Sequence, residues 1–122
     1  MKERLELLHH AKVISAESAA ACIDISKLIE NRLGIAPENE QFQMAITHLA
    51  RAFDRISEGS PITDGLDEEM FREITEDPDF LKIEQLNKEI LERLAIDPPA
   101  AENSFFLSNL MSLHYAAEAS TP

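Results

Sequence analysis

His48 sits in the stretch AITHLARAFDRISEG, residues 45–59, with Arg51 and Arg55 three and seven residues further on. A neutral imidazole is a nucleophile near neutral pH. Guanidinium groups hold phosphate oxygens through charge-assisted hydrogen bonds. Together these residue types suit an imidazole that receives a phosphoryl group. The plainer reading of the same spacing is a solvated histidine beside ordinary surface charges.

Metal chemistry fits less well. Zinc needs several imidazoles, thiolates or carboxylates converging on one point. Four residues to either side of His48 stand Met44 and Ala52, which are not ligands of that kind. His9 and His10 are adjacent, so on a helix they point about 100° apart. His114-Tyr115 reads as a packing or interfacial pair. No carboxylates are paired at the spacing of a metal helix, and there is no glycine-rich phosphate loop or nucleophile motif. No metal, cofactor or enzymatic activity is expected.

The element that carries His48 must be an amphipathic helix. Phe42, Ile46, Leu49, Phe53 and Ile56 follow steps of four, three, four and three, which puts them on one stripe. On that wheel His48 lies off the stripe, near Arg51, Arg55 and Met44, at a rim or surface. Pro37 and Glu38 open this helix and Gly59 ends it. Before it, a short charged helix spans Lys2 to about Val13. A second helix follows from Ala16 to Leu33, capped by Ser15 and stopped by Gly34. Residues 60–65 form a loop, and a short helix runs from Asp67 to about Thr75. Asp77-Pro78 starts a helix to Leu94, and Asp97-Pro98-Pro99 starts a last one to about Ala117. No stretch alternates with period two. The expected fold is all-α: a compact antiparallel bundle of about five or six helices. It forms one module over residues 1–122, with 1–14 as an N-terminal helical extension and 118–122 as a frayed tail.

A gapless shift of 61 residues lays KLIENRLGIAP, residues 27–37, on KEILERLAIDP, residues 88–98. Lys27, Ile29, Arg32, Leu33, Ile35 and Pro37 then meet identical residues, and His48 falls on Asn109. The chain reads as two helix-loop-helix halves, each presenting one polar residue at an equivalent place.

Composition narrows the function classes. The formal charge is -12, from 23 acidic and 11 basic residues. Such a surface repels phosphate backbones, so direct nucleic-acid binding is disfavoured. A partner with a basic face fits better. The acidic run Asp67-Glu68-Glu69 with Glu73, Glu76, Asp77 and Asp79 is a solvated belt or a docking patch. Cys22 is the only cysteine, which excludes an intrachain disulfide and suits a reducing cytoplasm. Its apolar neighbours mark it as a buried, inert thiol. No apolar run approaches the roughly 20 residues of a membrane span, and the N-terminus is too charged for a signal peptide.

The order of these motifs resembles the PTS regulation domain, the helical module that controls bacterial antiterminators and sugar-operon activators. The resemblance covers roughly residues 15–117. It rests on Leu33-Gly34, His48, Arg55 and Gly59 in the first half. In the second half it rests on Leu94, Pro98-Pro99, Glu102 and Phe105-Phe106. It implies a homodimeric regulator whose histidines are phosphorylated by a phosphocarrier or sugar-specific component of the phosphotransferase system. His48 matches the first family histidine, with Arg51 and Arg55 as its charge partners. Asn109 stands at the second histidine position and His114 does not fill it, so one conventional site remains and the second is degenerate. The family modules are attached to nucleic-acid-binding domains, for which this chain has no room; a free-standing module is expected to act through a partner protein or its own dimerisation. The alternative is a helical interaction module that kept the fold and lost phosphorylation.

Overall fold

A computed structural model describes residues 1–119. Among them are six α-helices and no strand: α1 Lys2–His10, α2 Ala16–Leu33, α3 Glu40–Ser57, α4 Glu68–Thr75, α5 Phe80–Leu94 and α6 Ala100–Ala119. The expected all-α bundle is what the chain forms. No helix among the described residues is long and apolar enough to cross a membrane.

Local chemistry explains most helix ends. Ser15 caps α2 by accepting the Ser18 N–H, and Gly34 closes it at φ 68° with its own N–H on the Glu30 carbonyl. Asp67 caps α4 by accepting the Met70 N–H. Other ends differ from expectation. α1 stops at His10, because Lys12 turns the chain at φ 63° and the Val13 N–H returns to the Leu8 carbonyl. α3 starts at Glu40 rather than at Pro37. Asn39 offers an amide oxygen to the Phe42 N–H at 3.1 Å, and a turn from Ala36 to Asn39 precedes it. A side-chain cap of this kind satisfies an orphan donor that proline cannot serve.

Asp77-Pro78 is not a cap followed by a first helical residue. Asp77 Oδ1 accepts the Asp79 N–H at 2.8 Å, so Pro78 lies inside a turn and α5 begins at Phe80. α6 runs to Ala119, so Glu118 and Ala119 are helical rather than part of a frayed tail. The expected fraying of Ser120, Thr121 and Pro122 lies outside the described residues.

Packing follows the repeat. α2 and α3 form one antiparallel hairpin, and α5 and α6 form the other; α3 lies on α6 and α2 on α5. The cross-connections are reciprocal: Arg32 of α2 reaches Glu89 of α5 at 2.6 Å, and the repeat-equivalent Arg93 of α5 reaches Asp24 of α2 at 3.4 Å. These exposed pairs add little stability. The core supplies it, with Ile29, Phe42, Ile46, Ile83, Leu86 and Leu113 all nearly inaccessible. Of the five-residue stripe on α3, Phe42, Ile46 and Leu49 are buried, while Phe53 and Ile56 are only half-buried. The 1–14 segment, read from sequence as an extension, completes this core through Leu5 and Ile14, at 0% and 4% exposure.

The repeat also holds at the level of single dihedral angles. Gly34 and Ala95, one repeat apart, both adopt the left-handed conformation, at φ 68° and φ 54°. Only the first is a glycine, and a Cβ there strains the backbone. Gly34→Ala is therefore expected to destabilise the protein by about 1 kcal/mol, and Ala95→Gly to stabilise it by roughly 0.5 kcal/mol. Urea unfolding of the two variants checks the opposite signs; equal signs would contradict the shared geometry.

Candidate functional site

α6 is the central helix, in contact with α2, α3, α4 and α5. Being covered on several sides, it buries polar residues that a surface helix would expose: Glu102, Ser104 and His114. Buried polar groups need partners, and each of the three has one. Glu102 meets α3, Ser104 meets the central loop, and His114 meets the start of α5.

The seam between α3 and α6 opens into a groove of about 440 Å³. His48, Arg51 and Arg55 line it from α3, and Glu102, Phe105 and Asn109 from α6. A neighbouring hollow, with Met44 and Ser112 on its walls, is also bordered by His48 and Asn109. The two positions that the repeat equates therefore meet in space across the α3–α6 seam. His48 is exposed, and among the described residues no side chain hydrogen-bonds its ring.

The two arginines differ. Arg51 is exposed and has no carboxylate within ion-pair reach among the described residues. Arg55 is committed. Its Nε donates to Glu102 Oε1 at 3.1 Å and its Nη2 to Glu102 Oε2 at 3.2 Å, a two-point clasp on a carboxylate that is 1% exposed. Oε1 also accepts the Ile62 N–H at 3.0 Å. Two residues along α6, Ser104 Oγ accepts the Leu66 N–H at 3.0 Å. Between these anchors Gly65 lies so close to α6 that a Cβ on it would sit 3.1 Å from the Ala101 Cα. The loop before α4 is thus laced to the floor of the His48 groove.

Three contacts of the fold, two beside the groove and one away from it, are not visible in the spacing of the sequence. Glu102 figured there only as a family-like acid, and its partner Arg55 is 47 positions away. Asp54, one residue before Arg55, reaches the opposite way: it accepts the Ser15 N–H at 2.9 Å and hydrogen bonds from the Ser15 and Ser18 hydroxyls. Local chemistry makes Ser15 a cap; Asp54 holds that cap from another helix. The third feature is the contact of His114 with Asp79, whose only sequence signal is Glu118 four residues after His114.

Local surroundings shift the ionisation of three groups. Burial, with the charge of Asp54 adding to it, pushes the Cys22 thiol up to about 12, so it stays a thiol at neutral pH. Tyr115 donates its hydroxyl to Asp77, which pushes the phenol up to about 12 and holds the Asp77 carboxyl below the usual range. The acidic belt is exposed from Asp67 to Glu69 and at Glu73 and Glu76, while Asp77 and Asp79 are half-buried and engaged.

Fold and groove together define a class: a two-hairpin, all-helical domain with an accessible histidine and a free arginine on its central seam. No family model matches the chain, and no solved structure matches it. Among curated proteins, the uncharacterized protein YhfY of Escherichia coli (strain K12) is 30% identical over 117 residues, which is 96% of this chain and 97% of YhfY. The chain belongs to the family of YhfY.

Proposed function

We propose that this protein is a regulatory module of the PTS-regulation-domain type, phosphorylated on His48 by phosphotransferase-system proteins. It would act on transcription control through a partner protein or its own homodimer, in the cytoplasm and without binding nucleic acid itself. The observation that carries the reading is the meeting of His48, Arg51 and the repeat-equivalent Asn109 on one open groove. An exposed imidazole is accessible to a donor protein, and Arg51 offers an uncommitted guanidinium to the phosphate.

The transfer is a simple displacement. A ring nitrogen of His48 attacks phosphorus, and the bond from phosphorus to the donor histidine's ring nitrogen breaks. The proton lost from the second ring nitrogen of His48 is balanced by the one the donor ring regains. The new group brings negative charge and acceptor oxygens to the groove. Those oxygens compete with Glu102 for Arg55, and Glu102 also holds the loop at Ile62. A charge change at His48 is thereby coupled to the anchoring of the loop and α4.

The test is intact-mass analysis after incubation with phosphoenolpyruvate, the general phosphotransferase enzyme and the phosphocarrier protein, quenched at alkaline pH. One added phosphoryl group is expected, absent in His48→Ala and acquired about tenfold more slowly in Arg51→Ala, the worth of one charge-assisted contact. No added mass, with the carrier active on a control substrate, sinks the reading. It would favour the second one, a helical interaction scaffold without phosphorylation. Asn109 at the second position and the commitment of Arg55 to Glu102 are the observations on that side.

A further inference from the structure

A second polar cluster lies away from the groove, where the last turn of α6 meets the start of α5. We infer that Asp79, His114 and Glu118 form a site for one divalent transition cation of the zinc class. This goes beyond the proposed phosphorylation and does not depend on it.

His114 and Glu118 are one turn apart on α6 and share a face. Asp79 occupies the N-cap position of α5 but makes no capping bond. Its carboxylate turns instead to His114, with Oδ2 2.9 Å from Nε2. Glu118 Oε1 lies 3.4 Å from the same nitrogen. All three ligand atoms fall within 4.8 Å of one another. Two ligands on a tetrahedral zinc, each about 2.0–2.1 Å from the ion, stand roughly 3.4 Å apart. The His114–Glu118 pair already has that separation. The Asp79 side chain is 44% exposed and free to back away by the remaining distance.

The three ligands have different supports. The His114 side chain is 5% exposed, so packing fixes its ring and aims Nε2 into the cluster before any ion arrives. The Glu118 side chain is 58% exposed, so it leaves a path from solvent. Two carboxylate oxygens converge on one ring nitrogen, where a proton on Nε2 serves them; a cation would take the place of that proton. One imidazole with two carboxylates and an open fourth position is a donor set for zinc or its neighbours. Magnesium and calcium take oxygen ligands throughout. A bound ion would tie the end of α6 to the start of α5.

The test is isothermal titration calorimetry of zinc chloride into the full metal-free chain. One equivalent is expected to bind with a dissociation constant of about 10 µM or tighter. Asp79→Asn and Glu118→Gln should each weaken binding at least about tenfold. Both positions are partly exposed, and unchanged helical circular dichroism will show that the variants remain folded. His9→Ala combined with His10→Ala, and His48→Ala separately, should leave binding unchanged. X-ray absorption of the loaded chain should show a single imidazole with oxygen ligands. Absence of binding overturns the site, as does binding that survives both carboxylate variants or disappears with His9 and His10. Binding of magnesium or calcium in preference to zinc overturns the class of cation.

Discussion

Arg55→Ala is expected to destabilise the fold by about 2–3 kcal/mol, because it strands a buried carboxylate. Glu102 is 1% exposed and receives both Arg55 contacts and the Ile62 N–H. Removing one partner of a fully buried ion pair costs roughly 3–5 kcal/mol, mostly the penalty of the charge left behind. The Arg55 side chain is 37% exposed, so water screens the pair and the expected loss is smaller. Glu102→Gln should cost only about 1 kcal/mol, since an amide oxygen still accepts the Ile62 N–H and the unpaired Arg55 is exposed enough for water to solvate it. Because it removes the stranded charge, adding Glu102→Gln to Arg55→Ala should recover part of the loss. Urea unfolding at one protein concentration measures all three. A loss below about 0.5 kcal/mol for Arg55→Ala, the range of ordinary surface substitutions, would show that the clasp contributes nothing. Hydrogen exchange at the Ile62 amide gives an independent reading, because the same carboxylate holds the loop.

The second large effect is expected at Asp54, where Asp54→Ala should cost about 2–3 kcal/mol. This carboxylate holds the N-cap residue of α2 by its backbone N–H and its hydroxyl, and it also accepts from Ser18. Hydrogen bonds to a charged acceptor contribute roughly 1.5–3 kcal/mol each, but three on one carboxylate are not additive. Partial exposure lowers the sum further. Asp54→Asn keeps the shape and one acceptor oxygen, so about half of the loss is expected to remain. Amide exchange over the first turn of α2 should accelerate in Asp54→Ala while α5 stays protected. Uniform acceleration across both hairpins would instead mean that Asp54 acts on global stability alone.

These two neighbours show how α3 works. Asp54 fastens it to the start of α2, and Arg55 fastens it to α6. His48 lies about two turns earlier on the same helix, so under the proposed phosphorylation a new charge there would act on an element fastened at both contacts. Under the proposed phosphorylation, Arg51 would meet the phosphate without first giving up a carboxylate, whereas Arg55 would have to leave Glu102.

The sequence by itself determined the helices, because their signals are local. The apolar stripe on α3, and Ser15 and Gly34 around α2, act over one or two turns. The 61-residue repeat also marks both hairpins and equates His48 with Asn109. Where two local signals competed, the choice was harder to read: Asn39 displaced Pro37, and Asp77 made a turn where a cap was expected. Only the tertiary structure decided the partners. Arg51 and Arg55 look alike on a helical wheel, yet one is free and the other clasps an acid 47 positions away. His114 looks like packing until Asp79 arrives from the other helix of its hairpin. The physical reason is the same in each case. Periodicity tells which face of a helix is covered, but α6 is covered on several sides, and its buried polar groups must find partners wherever the fold brings them.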